Sequence, residues 1–166
     1  MQSGLSNSDE NSRQDKAEEL FKKGFNCAQS VFTAFADKYG FDEETALKIS
    51  ASFGAGFGRM REVCGCFSAI AMIAGLETGS STEHDSQGKQ YNYEVVQRLA
   101  EEYKKVSGGS IICRELLGIS GGYNADSKVK PSERTDEYYK KRPCVQLVRD
   151  ACTIIENEFF GGRDNE

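Results

Sequence analysis

FGAGFGRMREVCGCFSAIAMIAG, Phe53 to Gly75, is the stretch on which the reading of this chain turns. Its first part carries Gly54, Gly56 and Gly58 at alternate positions, then Arg59 and Arg61, then Cys64-Gly65-Cys66. Glycines so spaced permit backbone conformations that a Cβ would forbid, which marks a shaped loop and not a regular element. The second part, Phe67 to Ala74, is a run of small and apolar residues. It is too long for a typical strand and rich in Ala, Ile and Met, which predicts a buried helix. A tailored loop thus delivers cysteines to the start of a helix in the core.

Working outward, helical periodicity continues on both sides. Ala17, Leu20, Phe21 and Phe25 fall at helical spacing from about Asp15, and Asn26 is placed to cap a second helix carrying Val31, Phe32, Phe35 and Ala36. Gly40 stops that stretch, and Asp42 can cap the next, with Ala46, Leu47, Ile49 and Phe53 as its apolar set. Downstream, Glu77 to Lys89 reads as a polar surface connection. Tyr91 to Val106 reads as an amphipathic helix with Val95, Val96, Leu99 and Tyr103 on one face. Ser110 can cap a short helix ending at Gly118, and Ile119 to Arg142 reads as a polar excursion. Pro143 suits the first turn of a last helix that ends at Gly161-Gly162. The expectation is an all-α, single-domain bundle of about five to seven helices over residues 15–162. A disordered tail is expected at 1–14 and a short tail at 163–166.

Composition narrows the function classes. The 166 residues carry 21 Lys and Arg against 26 Asp and Glu, a formal charge of −5. No broad basic field exists to collect phosphates, which argues against nucleic acid as a partner. No segment approaches the roughly 18 apolar residues of a membrane span, and the amino end lacks the apolar core of a secretory signal. The expected location is cytoplasmic. His84, the single histidine, lies in a polar connection, so an acid–base enzyme built on a placed histidine is disfavoured. The glycine loop lacks the Lys-Ser/Thr of a phosphate-binding loop and follows a helix, so its role is to shape the neighbouring site.

Six cysteines are then the conspicuous feature: Cys27, Cys64, Cys66, Cys113, Cys144 and Cys152. In a cytosolic chain they point to metal binding or redox chemistry. Cys27 follows the cap Asn26, Cys64 precedes the buried helix, Cys113 follows Ser110, and Cys144 follows Pro143. Four helix starts thus each present a thiol to unsatisfied N–H groups, which favour the thiolate. Arg59, Arg61, Arg114 and Arg142 add positive charge nearby.

At these residues the chain resembles the family of redox-active proteins named for the pattern C-GCAxxG-C-C. The matching stretches are Phe25-Asn26-Cys27-Ala28-Gln29-Ser30-Val31, Phe53 through Cys64-Gly65, Cys113-Arg114-Glu115-Leu116-Leu117-Gly118, and Cys144. The resemblance spans about Ala17 to Phe159. It implies a small helical protein whose Cys27, Cys64, Cys113 and Cys144 act in electron or thiol chemistry; the loop of Gly54, Gly56, Gly58 and Arg59 is read from its own residues as shaping the cofactor side of that site. One departure stands out: the central motif of the resemblance reads C-G-A-x-x-G, and here Cys64-Gly65-Cys66-Phe67-Ser68-Ala69 puts Cys66 at its alanine and Ala69 at its second glycine.

The chemistry divides three ways. Four thiolates can hold an iron–sulfur cluster for electron transfer, with Cys66 read first as a small apolar filler of the core and otherwise as an added ligand. The same cysteines can cycle between dithiol and disulfide with no cofactor. A structural zinc site is the third reading, but this chain lacks the short C-x₂₋₄-C knuckle that zinc modules favour. Cys152, two turns beyond Cys144, is assigned to the core. A redox partner protein is expected, and self-association is left open.

Overall fold

Ser12 opens the first helix. Its hydroxyl accepts from the Asp15 N–H at 3.1 Å, so α1 (Arg13–Lys22) begins inside the stretch assigned to the tail and buries Ala17, Leu20 and Phe21. The computed structural model describes residues 11–121 and 128–161. The rest of the expected amino-terminal tail and the tail at 163–166 lie outside these residues. Asn26 closes a capping box with Gln29 and starts α2 (Cys27–Ala34). A 3₁₀ turn, Ala36–Tyr39, continues it to Gly40. The Asp42 carboxylate caps α3 (Glu43–Ser50), which tightens into a second 3₁₀ turn, Ala51–Phe53.

The apolar run forms α4 (Gly65–Thr78), whose Cys66, Ile70 and Ile73 are almost wholly buried. A helix apolar on all sides must lie inside, and α4 packs against α2 and, beyond the connection, against α5 (Ser86–Ser107). The long helix α5 starts earlier than Tyr91 because the Asp85 carboxylate accepts from the Gly88 N–H at 2.9 Å. Next come α6 (Cys113–Leu116), α7 (Asp136–Lys141) and α8 (Cys144–Ile155), which runs on as a π-helical turn, Glu156–Phe160. α8 packs on α1, α2, α4 and α5 and completes the core.

The fold is all-α, and eight α-helices are found among the described residues. The one beyond the expected range is α7, which the Thr135 hydroxyl caps at 3.1 Å to the Tyr138 N–H. It lies in the stretch read as a polar excursion, part of which, 122–127, is outside the described residues. No helix among the described residues is long and apolar enough to cross a membrane.

Two local features position the site. Val63 and Ile112 form an isolated antiparallel bridge. Cys64 N–H donates to the Ile111 carbonyl at 2.7 Å and Cys113 N–H to the Glu62 carbonyl at 2.6 Å, which sets the two cysteines side by side. The glycine loop is a left-handed turn: Ala55, Gly56, Phe57, Gly58 and Arg59 have φ of 52°, 75°, 68°, 59° and 65°. Each of the three non-glycine residues costs about 1–2 kcal/mol in that conformation. Bonds across the turn offset this, among them Gly58 N–H to Ser52 carbonyl at 2.7 Å and Glu62 N–H to Gly56 carbonyl at 2.9 Å.

Candidate functional site

Each of the four cysteines singled out in the sequence sits at a helix start. Cys27, Cys113 and Cys144 are the first residues of α2, α6 and α8, and Cys64 is the residue that precedes α4. All four, with Cys66, line one cavity of about 60 Å³. Arg61, Arg134 and Arg142 line it too, and no carboxylate is among the described residues of its wall. A chain with a formal charge of −5 therefore presents a cationic surface at this cavity.

Cys27, Cys64 and Cys66 meet one another. Cys64 ends in extended backbone, φ −54° and ψ 133°, and helix begins only at Gly65. Cys64 and Cys66 thus escape the opposed directions of residues two apart on a regular helix, and both thiols reach Cys27. Gly65 is required by this approach, because a Cβ there would fall 2.4 Å from the Cys27 sulfur. Hydrogen bonds from the Cys64 and Cys66 thiols hold the Cys27 thiol well below its ordinary pKa, and the N–H groups of Ala55 and Ala28 assist. The negative charge on Cys27 in turn pushes Cys64 up to about 12 and raises Cys66. The trio shares one thiolate, centred on half-buried Cys27.

The other two thiols are kept protonated mainly by burial. Burial raises Cys113, opposed by the Arg61 guanidinium 3.8 Å away, and pushes Cys144 up to about 12. Arg134 is fixed by donating to the Phe21 and Phe25 carbonyls at 3.0 and 3.1 Å, with its guanidinium 4.3 Å from the Phe21 ring centre. Arg142 lies 4.5 Å from the centre of the Tyr138 ring. Behind the wall, the Tyr103 hydroxyl is 3.3 Å from the Cys64 sulfur.

The remaining sequence candidates fall elsewhere or serve the wall indirectly. Gly56 lets the left-handed turn touch Cys113: a Cβ there would lie 2.7 Å from the Cys113 Cβ. Gly54 makes room for the Asn26 side chain, and Gly58 faces open space beyond the Ser52 carbonyl. Arg59 points away from the wall and donates to the Lys128 carbonyl at 2.6 Å, tying the turn to the segment before α7. Cys152 is fully buried in the core, where burial pushes it up to about 12. Sequence reading missed Arg134, Tyr138 and the Tyr103 hydroxyl, none of which carries a local motif.

A first prediction follows from the shared thiolate. In reduced, metal-free protein, Cys27 should be the first thiol modified by iodoacetamide. A lowered pKa leaves thiolate present below the reference value of about 8.5, so its rate should persist as pH falls through that value. Cys64 and Cys144, both pushed up to about 12, should stay silent over the same range. Mass mapping of the label from about pH 6 to pH 9 checks this, and equal labelling of all sites contradicts it.

Among the described residues, no three His, Cys, Asp or Glu side chains are grouped so as to hold one metal ion. The contacting thiols meet as donors and acceptor and do not face a common centre. What the fold and wall define is a helical protein whose cysteines, drawn from distant segments, converge on one cationic cavity. The family described as "Putative redox-active protein (C_GCAxxG_C_C)" matches residues 25–158, and the chain belongs to that family. No curated protein and no solved structure matches it.

Proposed function

We propose that the protein is an electron carrier whose Cys27, Cys64, Cys113 and Cys144 hold an iron–sulfur cluster. The observation that carries this reading is the wall itself: four helix-start thiols, three guanidiniums and no carboxylate around one cavity. The donor set fits the group, since soft thiolates are its usual ligands and Cys₄ ligation is its usual form. The charge fits as well. Four thiolates require positive compensation in a buried place, and Arg61, Arg134, Arg142 and the helix starts supply it. A cluster also spreads its four ligands over several irons, so it does not need three of them around a single point, as a closed zinc site does. When bound, the cluster would supply one-electron chemistry. The chain's part is to ligate it, to exclude water with Phe21, Tyr138 and Leu147, and to set its charge environment.

A second reading is favoured by the hydrogen bonds that hold Cys27 as a thiolate. In it, the Cys27 thiolate and a neighbouring thiol join as a disulfide, giving up two electrons and one proton to an acceptor disulfide, which is released as one thiol and one thiolate, with no cofactor. In both readings a redox partner protein meets the cavity, and free thiols suit the reducing cytoplasm.

Isolation without oxygen separates them. The cluster reading expects brown protein with iron and acid-labile sulfide in near-equal amounts, bleaching on reduction. Colourless protein without iron, but with a thiol that reacts at neutral pH, would overturn it in favour of the disulfide reading. Neither metal nor a reactive thiol would end both.

A further inference from the structure

We propose that Tyr103 tunes the redox equilibrium of the cysteine site by donating a hydrogen bond to the Cys64 sulfur. The inference rests on the redox reading of the same cysteines and holds for either chemistry.

Tyr103 lies on α5, remote in sequence from every cysteine of the wall except Cys113. Its residue is fully buried and its ring packs on Phe67, with centres 5.8 Å apart. The hydroxyl reaches the Cys64 sulfur at 3.3 Å, the one hydrogen-bond partner found for it among the described residues. A phenol buried in an apolar core without a partner would be destabilising, so the contact is part of the design of this region. Direction follows from chemistry. A metal-bound sulfur has no proton to give, and a Cys64 thiol directs its proton to Cys27, so the phenol is the donor in both cases.

In the metal-free state the contacts form a chain. Tyr103 donates to the Cys64 sulfur, and the Cys64 thiol donates to the Cys27 thiolate. Reduction of the site puts more electron density on the Cys64 sulfur, whether that sulfur ligates a cluster or returns from a disulfide as a thiol that donates to the Cys27 thiolate. In the disulfide case the sulfur–sulfur bond takes up two electrons and one proton, leaving the Cys64 thiol and the Cys27 thiolate, while a dithiol reductant becomes a disulfide and gives its second proton to solvent. A donor aimed at that sulfur stabilises the reduced form, so removing it should lower the midpoint potential in both cases. The phenol is the deep end of the site and the arginines its outer end.

The test is Tyr103→Phe, which keeps the ring and deletes only the donor. Hydrogen bonds to charged groups are strong enough for about a tenfold shift of the oxidised-to-reduced ratio at a fixed ambient potential, toward oxidised. Incorporating 3,5-difluorotyrosine at position 103, a stronger donor, should move the ratio the other way. A wild-type couple whose potential is unmoved by either change overturns the role of Tyr103. Absence of any couple in the wild type overturns the redox reading, and the role of Tyr103 with it.

Discussion

Cys64→Ala is expected to leave protein isolated without oxygen essentially free of iron and sulfide, while Cys152→Ala keeps them. Metal–thiolate sites draw on the order of 10–16 kcal/mol from about four ligands, so one ligand is worth several kcal/mol and its loss more than about a hundredfold in retention. Cys64 also orders its neighbours: it meets Cys27 and Tyr103 and lies beside Cys113 through the Val63–Ile112 bridge. Cys152, by contrast, is wholly buried and absent from the cavity wall, so its replacement trims the core by one sulfur. Cys66→Ala, which restores the family's alanine, should retain the group and abolish one of the hydrogen bonds to Cys27. Iron and sulfide analysis of the three variants checks the set. Loss on changing Cys66 alone would make Cys66 a ligand, and full retention in Cys64→Ala would refute the assignment of the site.

The second large effect is expected at Gly56. A Cβ there would lie 2.6 Å from the Arg61 Cα, 2.7 Å from the Glu62 nitrogen and 2.7 Å from the Cys113 Cβ, two of them backbone atoms that cannot swing aside. Its φ of 75° adds the left-handed penalty of an L-residue. Overpacking of about 1–3 kcal/mol and a conformational cost of about 1–2 kcal/mol together predict that Gly56→Ala loses about 2–5 kcal/mol. The matched control is Gly58→Ala. It has φ of 59° and its nearest neighbour, the Ser52 carbonyl, lies 3.9 Å away, so only the conformational part applies. Urea unfolding of both variants measures the difference, and equal losses would show that the close approach to Cys113 is not as described.

Much of the frame could be read because its signals are local. Asn26, Asp42 and Pro143 start helices through their own side chains or ring, so the placement of Cys27 and Cys144 at helix starts needed no tertiary information. The all-apolar run of α4 announced its own burial. The site's outer half was opaque for the opposite reason. Arg134 reaches the Phe21 carbonyl across 113 residues of sequence, from a polar stretch with no periodicity. Tyr103 was visible as a core residue, but its hydroxyl partner exists only because α5 lies against α4. In the loop, the alternating glycines pointed to unusual backbone, yet Ala55, Phe57 and Arg59 adopt it too. Phe57 and Arg59 are held there by N–H bonds to the Phe53 and Gly54 carbonyls, and Ala55 by its carbonyl accepting from the Arg61 N–H, which no composition rule contains. Ala69, which stands for a glycine in the family pattern, is fully buried, so α4 accommodates its methyl group in the core.

The scatter of the four cysteines along the chain bears on how the protein is taken apart. A group held by Cys27, Cys64, Cys113 and Cys144 would tie shut consecutive segments of roughly 30 to 50 residues, and closing a loop of that size removes about 3–4 kcal/mol of chain entropy from the unfolded ensemble. The redox centre is then also a fastener. Release of the group reopens every loop at once, so a protein that loses it becomes easier to unfold and an easier substrate for proteolysis. With such a group bound, turnover of the chain would be linked to the integrity of the group.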